Sequence, residues 1–246
     1  MSLPVHWVPS LDGATVGSCV EVTGDEAHHA VAVRRLRVGE SVVLTDGLGR
    51  TAVGPVSSTG KRVFAVTVAS LDDVAMPEPV VTVVQAIPKG NRGELAVEVL
   101  TEVGVARIVP WAASRSVAVW KGDRAQKSVE RWRSAAREAS KQARRPWFAV
   151  IDEVASTNDV ERLVAGADLA VVLHEEATGS LPSVPVPAVG SVVVVVGPEG
   201  GLSDEEVRAF EAAGAHAVRL GPEVLRTSTA GVAAVSALLS RTARWS

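Results

Sequence analysis

Five valines stand in a row at positions 192–196, and the run ends at Gly197-Pro198-Glu199-Gly200-Gly201. A stretch that is β-branched at every position has no polar face. It therefore predicts a strand covered on both sides, as in a parallel sheet between layers of helices. The glycines that follow allow a sharp turn and a close approach of backbone to a ligand. Ser203, with Glu206 three residues on, has the spacing of a capping box, so a helix starts there. Strand, glycine loop and helix in that order is the arrangement in which α/β proteins hold small molecules.

The rest of the chain divides around Pro77 and Pro79, which together oppose both helix and central strand. Residues 1–73 read as β-rich, with strands over 16–22, 40–47 and 62–68 and a short helix over 24–37. Ala27, Val31 and Val33 or Leu36 form that helix's expected inner face. Arg34, Arg35 and Arg37 sit in its last turn, where cations suit the helix dipole; contact with RNA is the other reading of the same charges. Several short strands with one helix suggest a small barrel. Beyond a linker at 74–79, residues 80–246 change character. A strand over 80–87, a helix over 93–103 with Leu95, Val99, Leu100 and Val103 inward, and a strand over 106–110 make a βαβ unit and hence a parallel sheet. A long helix over 124–143, strands over 169–174 and 217–220, and helices over 204–213 and 229–241 complete the reading.

Composition narrows the function. A formal net charge of −3 gives no global attraction to nucleic acid, so any RNA contact has to be local. Residues 121–145 are the place for one: Lys121, Arg124, Lys127, Arg131, Arg133, Arg137, Lys141, Arg144 and Arg145 face only Asp123, Glu130 and Glu138. Such a run is either a solvated helix face or a phosphate-binding stripe. The lone Cys19 excludes an internal disulfide, and the five histidines show no metal-ligand spacing, so no metal is expected. The N-terminus has no basic-then-apolar leader and the valine runs are too short for a bilayer, so the expectation is a soluble cytoplasmic protein with no membrane contact.

Three strand ends converge in this reading: Leu173-His174-Glu175, Gly197 to Gly201, and Leu220-Gly221-Pro222. Dinucleotide, P-loop and nucleophile-elbow signatures are all missing. Spacing alone supports a small-ligand α/β enzyme and nothing finer.

A resemblance goes further. Residues 197–207, followed by Leu220-Gly221-Pro222-Glu223-Val224-Leu225-Arg226-Thr227-Ser228-Thr229-Ala230, resemble the C-terminal signature of the SPOUT methyltransferases. The likeness is strongest to the family that forms N3-methyluridine in the decoding region of 16S rRNA. Gln85-Ala86-Ile87-Pro88-Lys89-Gly90, Thr101-Glu102-Val103-Gly104, Ser114-Arg115-Ser116 and residues 137–142 fall in that family's order. So do residues 24–29 and 35–39. The resemblance implies a PUA-like RNA-binding barrel followed by a SPOUT α/β domain with a parallel sheet and a trefoil knot. It implies S-adenosyl-L-methionine as cofactor, the small ribosomal subunit as partner, and a homodimer.

Carried over residue by residue, the resemblance places the cofactor against Leu173, His174, Glu175, Gly197, Pro198, Glu199, Gly200, Gly201, Leu220, Gly221, Leu225 and Arg226. Arg226 is the expected electrostatic clamp on the uracilate or a neighbouring phosphate, with an ion pair to Glu199 or Glu223 as its purely structural alternative; Thr227, Ser228 or Thr229 would orient the base. RNA would meet Arg34, Arg35, Arg37, Lys89, Arg115, Arg131, Lys141 and Arg144. One departure stands out: the family often carries an acid where this chain has Ser228, so no carboxylate base is available there. The competing functions are a SPOUT enzyme acting on tRNA or a ribose 2′-OH, and an RNA-binding assembly factor that no longer methylates.

Overall fold

The computed structural model describes residues 3–90, 92–118 and 120–245. Met1 and Ser2, the start of the segment read as lacking a leader, lie outside them. The chain forms two compact units: one takes the residues up to Met76 together with Lys141–Phe148, the other Pro77–Ser140 and Ala149 onward.

The first unit is built on β1 (Val5–Trp7), β2 (Cys19–Thr23), β3 (Ser41–Thr45), β4 (Arg50–Thr59), β5 (Val63–Thr67) and β6 (Ser70–Asp73), with α1 (Gly24–His28) after β2. Strand order is β1-β3-β4-β5-β2, with β6 on β4. The ten-residue β4 pairs with β3 and β6 along its first half and β5 along its second, and the register shifts at Val56/Ser58 between. That bulge bends one long strand around a single core of Val22, Ala27, Leu44, Phe64 and their neighbours.

The helix expected over 24–37 is shorter and differently wound. After five α-helical residues the chain takes a π-helical turn, His29–Val33, in which Arg34 N donates to His29 O. The wider turn shifts the register of the inner face. Ala27 and Ala30 are buried, and of the two alternatives for the last inward position Leu36 is buried while Val33 is 62% exposed.

Lys141–Phe148 belongs to this first unit, an association that a linear boundary at 74–79 does not express. Gly49 N donates to Pro146 O at 2.9 Å, Phe148 N to Gly47 O at 2.9 Å, and the Trp147 indole to Val74 O at 2.8 Å. Lys141 Nζ lies 2.8 Å from Glu26 Oε2, and Glu26 Oε1 lies 3.1 Å from His6 Nδ1. Burial alone would raise the Glu26 pKa; hydrogen bonds with His6 and Lys141 outweigh it and hold the carboxyl below its usual value.

The second unit alternates strand and helix: β7 (Val80–Ala86), α2 (Arg92–Glu102), β8 (Arg107–Trp111), α3 (Gly122–Gln142), β9 (Val150–Ile151), α4 (Thr157–Ala165), β10 (Leu169–Leu173), β11 (Gly179–Ser180), β12 (Ser191–Val196), α5 (Asp204–Ala212), β13 (His216–Arg219) and α6 (Thr227–Leu239). The strands form one parallel sheet in the order β11-β13-β10-β12-β7-β8-β9. The valine run is β12, inserted between β7 and β10. Val192, Val194 and Val196 pack with Leu100, Trp132 and Leu238, on the face covered by α2, α3 and α6. Val193 and Val195 pack with Val160, Val164 and Phe210, on the face covered by α4 and α5. This is the covering on both sides that an unbroken β-branched run requires.

Helix α2 is rotated from its expected setting. Gly93, Ala96, Val97 and Leu100 are buried, and Leu95 is exposed. The Gly93 backbone lies against the Trp132 indole so closely that a Cβ there would come within 2.7 Å of Nε1. That contact fixes the helix face and turns Leu95 outward.

Candidate functional site

The site grows from three neighbouring strand ends. Leu173 of β10 pairs with Val196 of β12 on one side and Val218 of β13 on the other, so the three strands finish level. The loops that follow, at residues 174–176, 197–202 and 220–226, enclose a cavity of about 790 Å³ at the carboxyl edge of the sheet. Thr227 and Ala230 of α6 add a further wall. A ligand at the carboxyl ends of parallel strands is the general rule for this architecture.

All twelve residues expected around the cofactor line this cavity. Of the expected base-orienting residues, Thr227 lines it. Ser228 is buried in the first turn of α6, and the Thr229 hydroxyl turns back to donate to Arg226 O at 3.3 Å; neither faces the cavity. Arg92, the first residue of α2, lines the cavity although no sequence signal pointed to it. Its position follows a loop rather than a motif, so only the fold could bring it there.

The glycine loop is held tightly. Ser203 caps α5: its hydroxyl accepts from Glu206 N at 3.2 Å, and the Glu206 carboxylate accepts from Ser203 N at 2.9 Å. Glu206 also accepts from Ser114 N at 2.8 Å, and Arg115 Nη1 donates to Leu202 O at 3.0 Å. Gly200 meets the same neighbour, since a Cβ there would lie 2.9 Å from Arg115 O. Glu199 accepts from Lys89 N at 3.1 Å, which gives this acid a loop-holding role. The helix start itself carries Asp204, Glu205 and Glu206, and Glu205 is held below its usual pKa by its own backbone amide and the Ser203 hydroxyl. So many carboxylates disfavour a phosphate at this helix N-terminus.

Charge around the cavity is mixed. Glu175, Glu176, Glu199, Asp204 and Glu223 face Arg92, Arg115, Arg219 and Arg226. Arg226 is the N-cap residue of α6, whose first turn has no side-chain cap. Among the described residues it makes no ion pair, so the expected alternative of a bridge to Glu199 or Glu223 is not formed.

The basic residues assigned to RNA are dispersed. Arg115 lines the cavity, Lys89 contributes its backbone N–H to Glu199, and Arg131 is exposed on α3. Arg34, Arg35, Arg37 and Arg144 are exposed in the first unit. Lys141 requires correction: its side chain is 11% exposed and engaged by Glu26, so its charge serves the fold. Among the described residues no cluster of metal-ligating side chains occurs, and no helix is long and apolar enough to cross a membrane.

This geometry has relatives. A family model described as an RNA methyltransferase domain matches residues 76–239, and one described as an RNA methyltransferase PUA domain matches residues 22–68. The ribosomal RNA small subunit methyltransferase E of Mycobacterium bovis is 45% identical over 233 residues, 93% of this chain and 89% of that protein. The chain belongs to the ribosomal RNA small subunit methyltransferase E family. The Bacillus subtilis protein of that name is 30% identical over 90% of each chain. A structure of the Neisseria gonorrhoeae methyltransferase E bound to S-adenosylmethionine superposes with a TM-score of 0.86 at 25% identity, covering 97% of this chain and 98% of that one. A Legionella pneumophila methyltransferase structure in complex with the same cofactor gives a TM-score of 0.89 at 27% identity, covering 98% and 99%. The expected fold, a PUA-like domain ahead of a parallel-sheet SPOUT domain, therefore stands, and both of these structural neighbours hold S-adenosylmethionine. The cavity suits it. Its volume lies in the ordinary range for such ligands, and glycines 197, 200, 201 and 221 line it.

Proposed function

We propose that this methyltransferase E family member methylates N3 of a uridine in the decoding region of 16S rRNA, acting in the cytoplasm as a homodimer. The observation that carries this reading is Arg226: a guanidinium with no carboxylate partner among the described residues, at the start of α6, on the wall of the cavity. When bound, S-adenosylmethionine supplies an electrophilic methyl group. Residues 173–175, 197–201 and 220–226 would hold it, largely through backbone. Arg226 and the first-turn amides of α6 form an electropositive corner. Loss of the N3 proton to solvent leaves negative charge on the uracil, and that corner stabilises it. Positioning then supplies much of the remaining acceleration. No carboxylate at position 228 is needed on this reading, because stabilising the anion takes the place of a strong base.

The arginines at 34, 35, 37, 115, 131 and 144 and Lys89 are proposed to meet RNA phosphates. The direct test is mass spectrometry of small-subunit rRNA from cells with and without the gene. Loss of one N3-methyluridine supports the reading, and an unchanged rRNA rejects it. Size measurement in solution tests the dimer.

A further inference from the structure

One polar side chain sits where the sheet should be dry. Gln85 lies in β7, 1% exposed, opposite Val196 at the last residue of the valine strand. Its Nε2 donates to Ala86 O at 3.1 Å and, across 142 residues of sequence, to Thr227 O at 3.2 Å. Its Oε1 is buried and has no hydrogen-bond partner among the described residues. A buried amide left half-satisfied is unfavourable, and an apolar residue of the same shape avoids the penalty. A chain selected only for stability has no use for glutamine at that position.

The contact it makes explains the choice. Thr227 is the first residue of α6, directly after Arg226, and both line the cavity. Gln85 thus reaches from β7 to a carbonyl in the first turn of this helix. Gly231, one turn on, lets the helix come close: a Cβ there would meet Leu100 Cδ2 at 3.2 Å, Val196 Cγ2 at 3.3 Å and Gln85 Oε1 at 3.7 Å. Glutamine, glycine and the valine strand thus fix where α6 begins.

We propose that Gln85 is a positioning residue for methyl transfer: it ties the start of α6 to the end of β7 and so sets Arg226 against the cofactor cavity. The inference rests on the uridine-N3 reading for its activity arm, and its structural arm is independent. Gln85→Met keeps the volume and removes both the donor and the orphaned acceptor. With the full chain, its melting temperature should equal or exceed that of wild type, and the Kd for S-adenosylmethionine should stay within about threefold. Amide hydrogen exchange over residues 227–231 should quicken on the order of tenfold. The kcat on small-subunit rRNA should fall on the order of 10- to 100-fold. Gln85→Glu regains a donor to Thr227 O only when its buried carboxyl is protonated. Its turnover relative to wild type should therefore rise as the pH is lowered.

Wild-type exchange at 227–231 in Gln85→Met overturns the tether. Faster exchange with an unchanged kcat overturns the positioning role. So does a kcat loss matched by equal losses of melting temperature and cofactor affinity, which marks a merely structural residue. Exchange needs no RNA, so a wild-type protein that leaves uridine N3 unmethylated defeats the proposed function without touching this arm.

Discussion

Glu206 accepts the amide of Ser114 at 2.8 Å while its other oxygen accepts the amide of Ser203 at 2.9 Å. One buried carboxylate thereby caps α5 and fastens the 114–116 loop beside the glycine turn. Glu206→Ala should remove both contacts and lower stability by about 2 kcal/mol. Because the turn forms the cavity floor, cofactor affinity should fall with it. Thermal melts and calorimetry with S-adenosylmethionine check the pair; a variant that loses stability but keeps affinity would separate the cap from the cavity.

Arg226→Ala should reduce methylation at least about 100-fold, the scale on which a single donor to a developing anion acts. Cofactor affinity should change little, since backbone is proposed to do most of the holding. Arg226→Lys keeps the charge but loses the planar fork, so partial activity is expected. Steady-state kinetics beside cofactor titration measures the split.

Gly200→Ala places a methyl group 2.9 Å from Arg115 O. The obstacle is backbone, so the glycine turn has to move. Overpacking of this kind carries about 1–3 kcal/mol, and affinity for S-adenosylmethionine should weaken roughly tenfold or more.

Glu26 sets a pH dependence in the first unit. Its folded pKa is depressed, so its stabilisation is present above the unfolded carboxylate value and is lost as pH falls through the folded one. Acid unfolding should steepen below about pH 4.5 in the wild type. Lys141→Met should flatten that limb and leave stability at neutral pH lower. Denaturant titrations across the acid range give the slope.

Arg35 holds φ 57° without being glycine. Arg35→Gly should leave stability unchanged or raise it by up to about 1 kcal/mol, while RNA binding weakens and its salt slope shrinks by about one charge. An RNA affinity equal to wild type at low and high salt alike rejects the assignment of Arg35 to phosphate.

The parts readable in advance were those whose chemistry is local. The β12 run admits one kind of environment, the Ser203–Glu206 spacing is itself the capping geometry, and the cavity loops follow strand ends that show as breaks in hydrophobicity. Where a neighbour decides, sequence is silent. The rotation of α2 depends on Gly93 meeting Trp132, the shift after α1 depends on a π-helical turn, and α4 starts on a Ser156–Asp159 box in place of the usual glutamate. Gln85 looked like a strand residue in a motif. Its bond to Thr227 spans most of the second unit's sequence, beyond the reach of any window.

The return of Lys141–Phe148 to the first unit has a consequence for synthesis. A first unit made from residues 1–76 alone would emerge from the ribosome without the Lys141 ammonium beside Glu26 and without the segment that bonds Gly47 and Gly49. At about 5–20 residues per second it would wait several seconds for its closing segment. During that wait the βαβ part of the second unit is already being made. The N-terminal unit is thus finished late, and a nascent chain arrested before Phe148 should leave the 47–49 loop without its partner and open to protease.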